Sequence, residues 1–271
     1  RISKWMKKYI VIGNPINHSL SPKLHNYWIK QSNIDAVYDK KLISENDLVN
    51  VIAKVKSEEI NGINVTVPFK NKIVPFVDIL TQEAKETKSV NTIYFEKGKV
   101  VGHNTDIAGF ELGIRSYGYD IERKNIFIFG AGGVVSSLIV ALKKMKALNI
   151  FIYNRTLSKA EKLKSFFNYI NIVEKNQIPD NIDMIINASS LGINENDKID
   201  LNYEKIGSNK FYYDIIYNPP QTDFLKQAKR LGNKTENGKM MFIYQAHQAF
   251  SIWHKVFPKI DEKVIDLLDT W

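Results

Sequence analysis

Ile126-Phe127-Ile128-Phe129 runs straight into Gly130-Ala131-Gly132-Gly133, and a stretch of helical character follows over 134–144. A continuous apolar run of this length suits a strand covered on both faces, as in a parallel sheet. Parallel strands need long crossovers, and after the helical stretch a second apolar run occupies 149–153. Further strands over 184–187 and 211–216 continue the alternation, so residues 107–238 read as a doubly wound, Rossmann-like α/β domain. Glycines between such a strand and helix let the backbone approach a pyrophosphate, toward which the helix turns its positive end. Ser136 stands near the place of the usual third glycine. A purely structural turn could use the same glycines, but the flanking strand and helix favour a dinucleotide.

The end of the second strand indicates which dinucleotide. An NAD-binding unit usually carries Asp or Glu there, accepting from the ribose 2′-OH. Here the strand ends in Asn154-Arg155-Thr156, with Lys159 one turn later. A carboxylate would repel a 2′-phosphate, whereas Arg155 can grip one with two donors and Thr156 and Lys159 can add to it. The competing reading, Thr156 as a helix N-cap beside a surface arginine, is compatible with phosphate binding. NADP is therefore the expected cofactor.

The first hundred residues alternate differently. Strands are expected over 9–12 and 37–42, helices over 22–31 and 45–56, and a hairpin over 91–102 with its turn at Lys97-Gly98. Asn61-Gly62-Ile63-Asn64-Val65-Thr66-Val67-Pro68-Phe69-Lys70 is the most telling stretch of this half. Its apolar and polar residues alternate as in a strand over 63–67, and Pro68 stops the ladder. Asn64 and Thr66 then share a face, and Lys70 lies past the carboxyl end, where open α/β sheets place ligands. Taken alone, the stretch reads more readily as an edge strand followed by a solvated lysine. A helix is expected from Ile107 to Ser116, and the tail over 240–257 and 262–268 also reads as helical.

Composition narrows the function classes. The 271 residues are 44% hydrophobic and 25% charged, ordinary for a globular protein, and no run approaches the length of a membrane span. The start, Lys4 to Ile12, has too short an apolar core for a signal peptide, and Met6 is a plausible start, so residues 1–5 need not be native. Without cysteine, disulfides, zinc–thiolate sites and thiol catalysis are excluded, in keeping with a cytoplasmic location. The net charge of +9 is spread along the chain without a block of like charge, so solvated helix faces and attraction of small anions are expected, not nucleic acid.

Asn64-Val65-Thr66-Val67-Pro68-Phe69-Lys70, Val90-Asn91-Thr92, Gly102-His103-Asn104-Thr105-Asp106, Gly130-Ala131-Gly132-Gly133 and Asn154-Arg155-Thr156 follow one another here, preceded by His18-Ser19-Leu20-Ser21-Pro22 and followed by Gln245-Ala246. In kind and order these motifs resemble the shikimate/quinate dehydrogenase family over nearly the whole chain. The resemblance implies two α/β domains. A substrate domain of residues 1–106 is completed by 239–271, and a Rossmann-like NADP-binding domain spans 107–238. It implies NADPH-dependent reduction of 3-dehydroshikimate to shikimate, a step toward chorismate and the aromatic amino acids, by a monomer or homodimer with a small-molecule substrate and neither nucleic acid nor membrane as partner. Lys70 and Asp106 would be the catalytic pair. Ser19, Ser21, Asn64, Thr66, Asn91, Tyr217 and Gln245 would hold the substrate. Gly130, Ala131, Gly132, Gly133, Val134, Asn154, Arg155, Thr156, Lys159, Ile215 and Met240 would hold the cofactor, and no metal is implied.

The residue chemistry agrees. Ser21-Pro22 reads as an N-cap followed by proline at the first helical position, and a helix start flanked by two hydroxyls suits a carboxylate. Thr66, Asn64, Asn91 and Gln245 offer the neutral donors and acceptors a polyhydroxylated ring needs. Tyr217 can either close over a ligand or pack on Pro219 and Pro220. His18 and His103 are rival acid–base candidates. Departures from the family pattern are Lys88-Ser89 before Val90, Ser189 for a usual threonine, Met240 for a glycine, and Lys255 for the glycine after the tryptophan motif. The alternatives are a quinate-directed relative using NAD and a nucleotide-sensing module without catalysis.

Overall fold

The structure, a computed structural model, describes residues 6–269. Residues 1–5, expected to precede a start at Met6, lie outside that range. The chain forms two compact units, Arg1–Gly109 with Ile243–Trp271 and Phe110–Phe242.

In the first unit the order is β1 (Lys7–Gly13), α1 (Ser21–Gln31), β2 (Ala36–Leu42), α2 (Leu48–Lys56), β3 (Gly62–Val65), β4 (Ile79–Leu80), α3 (Gln82–Thr87), β5 (Thr92–Glu96) and β6 (Lys99–His103), followed by the start of α4 (Asp106–Ser116). The strands make one mixed sheet in the order β2-β1-β3-β5-β6-β4. Lys97 and Gly98 both take positive φ, the mirror-image turn that matches strand twist in a two-residue hairpin. Ile10, Ile12, Ile63 and Val65 pack with Val51 and Val55 of α2 in one core. Alternation turns Tyr9, Val11 and Asn64 to the opposite face.

β3 is shorter than the expected 63–67. Beyond Val65 the chain pairs on one side only, with the Thr66 N–H donating to the Ile12 carbonyl (2.9 Å) and the Asn14 N–H to the Val67 carbonyl (3.0 Å). Pro68, lacking an N–H, ends even that. The edge-strand reading also fails, because β3 lies between β1 and β5.

The second unit continues α4 and adds β7 (Asn125–Phe129), α5 (Val135–Lys144), β8 (Asn149–Tyr153), α6 (Leu157–Phe166), β9 (Asn171–Ile172), β10 (Met184–Asn187), α7 (Tyr203–Ile206), β11 (Phe211–Asp214), α8 (Asp223–Arg230) and β12 (Lys234–Asn237). Its sheet, β12-β11-β10-β7-β8-β9, is parallel throughout and has the doubly wound order. Every residue of β7 is buried, as its unbroken apolar run requires. The order reverses between β7 and β10, the position where such sheets take ligands. β11 stops at Asp214, short of the expected 216, because the Ile216 N–H turns back to the Asp214 carboxylate (3.0 Å) instead of extending the ladder.

α9 (Lys239–His254) begins in the second unit and ends in the first, and α10 (Glu262–Leu267) follows. α9 ends three residues before the expected 257, where Lys255 takes a positive φ. Its Trp253 lies 4.9 Å from the Tyr9 ring and donates its indole N–H to the Ile93 carbonyl (3.1 Å). Only glycine fits beneath it, since a Cβ on Gly62 would come within 2.5 Å of the indole.

His25, fully buried in this aromatic layer, has a pKa lowered to about 3 by burial and secondarily by His254. An unfolded histidine titrates near 6.5, so below that pH the unfolded chain takes up a proton that the folded one refuses. The contribution is complete above about pH 6.5 and is lost as pH falls toward 3. His254, lowered to about 4 by burial and Lys7, acts in the same direction. Acid unfolding of His25→Phe, followed by circular dichroism, should therefore show a shallower loss of stability below pH 6.5 than the parent. An equal slope would assign the acid sensitivity to other groups.

Candidate active site

Lys70 follows β3 and is tied down on both sides. Phe69 is buried, and the Val90 N–H donates to the Lys70 carbonyl (2.9 Å), which sets the lysine beside Asn91. Lys70 Nζ donates to Asp106 Oδ2 at 2.7 Å, with side-chain exposures of 13% and 6%, so this is no solvated surface lysine. Asp106 stands in the first turn of α4, where a carboxylate commonly caps. That role belongs to Asn104, whose Oδ1 accepts from the N–H groups of Asp106 (2.8 Å) and Ile107 (3.3 Å). The Asp106 carboxylate is left for Lys70 and for Asn91, whose Nδ2 reaches Oδ1 at 3.2 Å.

Asn91 is held in turn. Its Nδ2 donates to Thr105 Oγ1 (2.8 Å), and its Oδ1 accepts from the Thr105 N–H (2.8 Å) and the Thr92 hydroxyl (3.0 Å). Asn64 Nδ2 donates to the Asn91 carbonyl (3.1 Å) and to Thr92 Oγ1 (3.2 Å). Lys70, Asp106, Asn91 and Asn64 thus form one network. Sequence reasoning left out its supports Thr92, Asn104 and Thr105, although each adjoins or nearly adjoins a residue it had picked.

The other expected substrate residues are placed less tightly. Ser21 is not the N-cap. Leu20 holds that position without a side-chain cap, Ser21 is the first helical residue, and Pro22 follows it. Ser19 Oγ accepts from the Ser21 N–H (3.3 Å), so Ser19 does part of the capping assigned to its neighbour. Thr66 and Gln245 are half-buried. His18 is exposed, while His103 Nδ1 lies 2.7 Å from Thr81 Oγ1 and its pKa is lowered by burial. Among the described residues neither histidine bonds to the Lys70–Asp106 pair. Tyr217 belongs to the second unit, where its ring stacks on Phe242 (4.7 Å), and burial raises its pKa.

The cofactor candidates all lie in that second unit. Gly130 has φ +119°, and a Cβ there would sit 3.0 Å from the Ala188 backbone, so the turn runs tight against the end of β10. At Gly132 a Cβ would meet nothing within 4 Å, leaving open space beside Ala131 and Gly133 at the start of α5, whose N-cap is Val134. Ser136 faces inward, its hydroxyl on the Gly133 carbonyl (3.4 Å). Past β8, Asn154 Nδ2 closes a turn on the Thr156 carbonyl (2.9 Å). Thr156 occupies the N-cap of α6 without using its hydroxyl there. Arg155, Thr156 and Lys159 are exposed, and among the described residues no carboxylate pairs with Arg155 or Lys159. An open glycine cradle and a cationic strand end fit a dinucleotide bearing a 2′-phosphate.

A buried network absent from the sequence reading shapes the loops around this cradle. Asp214 accepts from Thr222 Oγ1 (2.6 Å), the Ile216 N–H (3.0 Å) and Asn187 Nδ2 (3.1 Å), yet burial still pushes its pKa up to about 6. Asn187 Oδ1 accepts from the N–H (3.0 Å) and hydroxyl (2.7 Å) of Ser189, so serine in place of threonine keeps the contact. The Ile215 N–H donates to the Asn187 carbonyl (3.1 Å), which fixes the loop carrying Ile215 and Tyr217. Met240 is half-buried in the first turn of α9.

Family models agree with both units. That of the shikimate dehydrogenase substrate binding domain matches residues 11–93, and that of shikimate / quinate 5-dehydrogenase matches residues 111–220. Shikimate dehydrogenase (NADP(+)) of Pelagibacter ubique is 52% identical over 97% of this chain and 99% of its own. The solved shikimate dehydrogenase of Aquifex aeolicus superposes with a TM-score of 0.91 at 36% identity, covering 100% of both chains. A shikimate dehydrogenase solved in complex with NADP+ gives 0.91 at 34% identity, covering 99% of this chain and 97% of that one. Similarity of this extent, carried through both units, makes the chain a member of the shikimate/quinate dehydrogenase family.

Proposed function

We propose that this chain catalyses the reversible, NADPH-dependent reduction of 3-dehydroshikimate to shikimate, a step toward chorismate and the aromatic amino acids. The observation that carries the reading is the buried Lys70–Asp106 pair at 2.7 Å, braced by Asn91, in a chain 52% identical to an NADP-dependent shikimate dehydrogenase. The first unit binds substrate and the second binds cofactor through residues 130–134, 154–156, Lys159, Ile215 and Met240. The protein acts in the cytoplasm as a monomer or homodimer, and no described helix is long and apolar enough to cross a membrane.

Bound NADPH supplies the hydride. The chain's own part is to place the ketone and manage the proton. As the carbonyl carbon accepts hydride, charge develops on its oxygen. An ammonium at Lys70 stabilises that charge and donates the proton. Asp106 holds Lys70 in place with one oxygen while the other is fixed by Asn91, so the ammonium is aimed before the reaction begins. Ser19 and Ser21, at the start of α1, receive the substrate carboxylate. Asn64, Thr66, Asn91 and Gln245 supply neutral partners for the ring hydroxyls.

The test crosses two substrates with two cofactors. Oxidation of shikimate with NADP+ should be the fastest of the four combinations. Faster quinate oxidation with NAD+ would replace this assignment with the quinate branch of the family. Absence of turnover in all four would leave a nucleotide-binding module without catalysis.

A further inference from the structure

Tyr38 of β2 is fully buried and held by three devices. Asn26 of α1 clamps its backbone, donating to the Tyr38 carbonyl (2.8 Å) and accepting from the Tyr38 N–H (3.0 Å) on the open side of the edge strand. His25, the preceding residue of α1, lies flat on the phenol ring at 4.2 Å and 6°. Strand register supplies the third. Tyr38 pairs with Tyr9 on β1, and Asn64 of β3 pairs with Val11, two residues along on the same face. The phenol therefore reaches across β1, and its hydroxyl donates to Asn64 Oδ1 at 2.7 Å.

The direction of this bond is fixed by chemistry. The Asn91 carbonyl can only accept, so Asn64 must turn Nδ2 toward it and Oδ1 toward Tyr38, where only a donor satisfies it. The Ser21 hydroxyl hydrogen-bonds to the phenol from α1, leaving the phenol proton for Asn64. From there the chain is unbroken: Asn64 donates to Thr92, Thr92 to Asn91, and Asn91 to Asp106, the partner of Lys70.

We propose that Tyr38 is a positioning residue of this site, whose hydroxyl locks the Asn64 amide in the orientation that meets the substrate ring. The inference rests on the reading of the first unit as the substrate-binding unit. Without the hydroxyl, Asn64 Oδ1 is buried without its donor, and the amide is held through Nδ2 alone, by the Asn91 carbonyl and Thr92 Oγ1.

Tyr38→Phe keeps the ring on His25 and removes only the hydroxyl. Its KM for shikimate should rise roughly tenfold, with kcat changed less than about threefold and the KM for NADP+ within about twofold. In an Asn64→Ala background the same substitution should add less than about twofold, because its target is gone. His25→Phe keeps an aromatic ring against the phenol and spares the hydroxyl, and should leave the KM for shikimate near the parent value. A lowered Tm with an unmoved shikimate KM overturns the proposal, as does an undiminished effect beside Asn64→Ala, or an equal KM rise in His25→Phe. Should Tyr38→Phe not fold, Asn26→Leu unclamps Tyr38 while keeping its hydroxyl, and must itself raise the shikimate KM; an unchanged KM overturns the proposal. A parent that oxidises quinate and not shikimate overturns the substrate assignment alone, and the same comparison is then read with quinate.

Discussion

Lys70→Met lowers kcat for dehydroshikimate reduction by roughly 10²–10⁴, the range expected when a general acid is lost. Methionine keeps the length of the side chain and removes both charge and donor. The ring hydroxyls and carboxylate still meet their own partners, so substrate KM changes little, and the loss appears in kcat as expected for an interaction made chiefly in the transition state. The substitution also leaves Asp106, 6% exposed, with Asn91 but no cation, so the variant's Tm is measured alongside. Turnover near the parent value in a folded variant would reduce Lys70 to a binding or surface residue. Steady-state kinetics at saturating NADPH decides between these outcomes.

The reason for expecting so large an effect is geometric. A lysine five residues beyond a strand and two beyond a proline would ordinarily be solvated. Here Phe69 is buried before it, the Val90 N–H holds its carbonyl, and its ammonium meets a carboxylate whose backbone is capped by Asn104. Each constraint comes from a different part of the chain, the turn after β3, the approach to β5 and the start of α4. The ammonium is therefore placed by the fold, with little freedom of its own to lose on reaction.

How much of this was legible in the sequence depends on how local the signal was. The second unit's strands announced themselves, because β7 and its neighbours are buried on both faces and so are apolar without interruption. The Lys97-Gly98 turn was equally plain, since the dipeptide alone favours the mirror-image geometry. Errors gathered where one residue's role was taken by its neighbour. Ser21 carries the side chain and the following proline of a cap, yet the helix starts one residue early and Ser19 takes the backbone bond. Asp106, named with Lys70 as the catalytic pair, is in contrast not spent on capping α4, because Asn104 does that. The partners of Asn64, and the Asp214–Asn187–Thr222 group, were out of reach for another reason. They join residues far apart in the chain, through strand order that single-sequence periodicity does not encode.

Arg155→Ala should raise the KM for NADPH roughly tenfold to a hundredfold, since it removes a charge-assisted contact to the 2′-phosphate, and should leave NADH within about twofold. Arg155 is exposed past the end of β8 and takes part in no ion pair among the described residues, so its removal leaves no buried group without a partner. The Tm should stay at the parent value, which separates loss of recognition from damage to the fold. Thr156, whose hydroxyl is not spent on capping α6, and Lys159 in the next turn remain to favour the phosphate. Some preference for NADPH should therefore survive the substitution. What survives rests on an exposed lysine, so it should weaken as ionic strength rises, faster than the parent's bidentate contact does. Equal losses for NADPH and NADH would mean that Arg155 supports the turn itself, and the assignment of the 2′-phosphate to this strand end would fall.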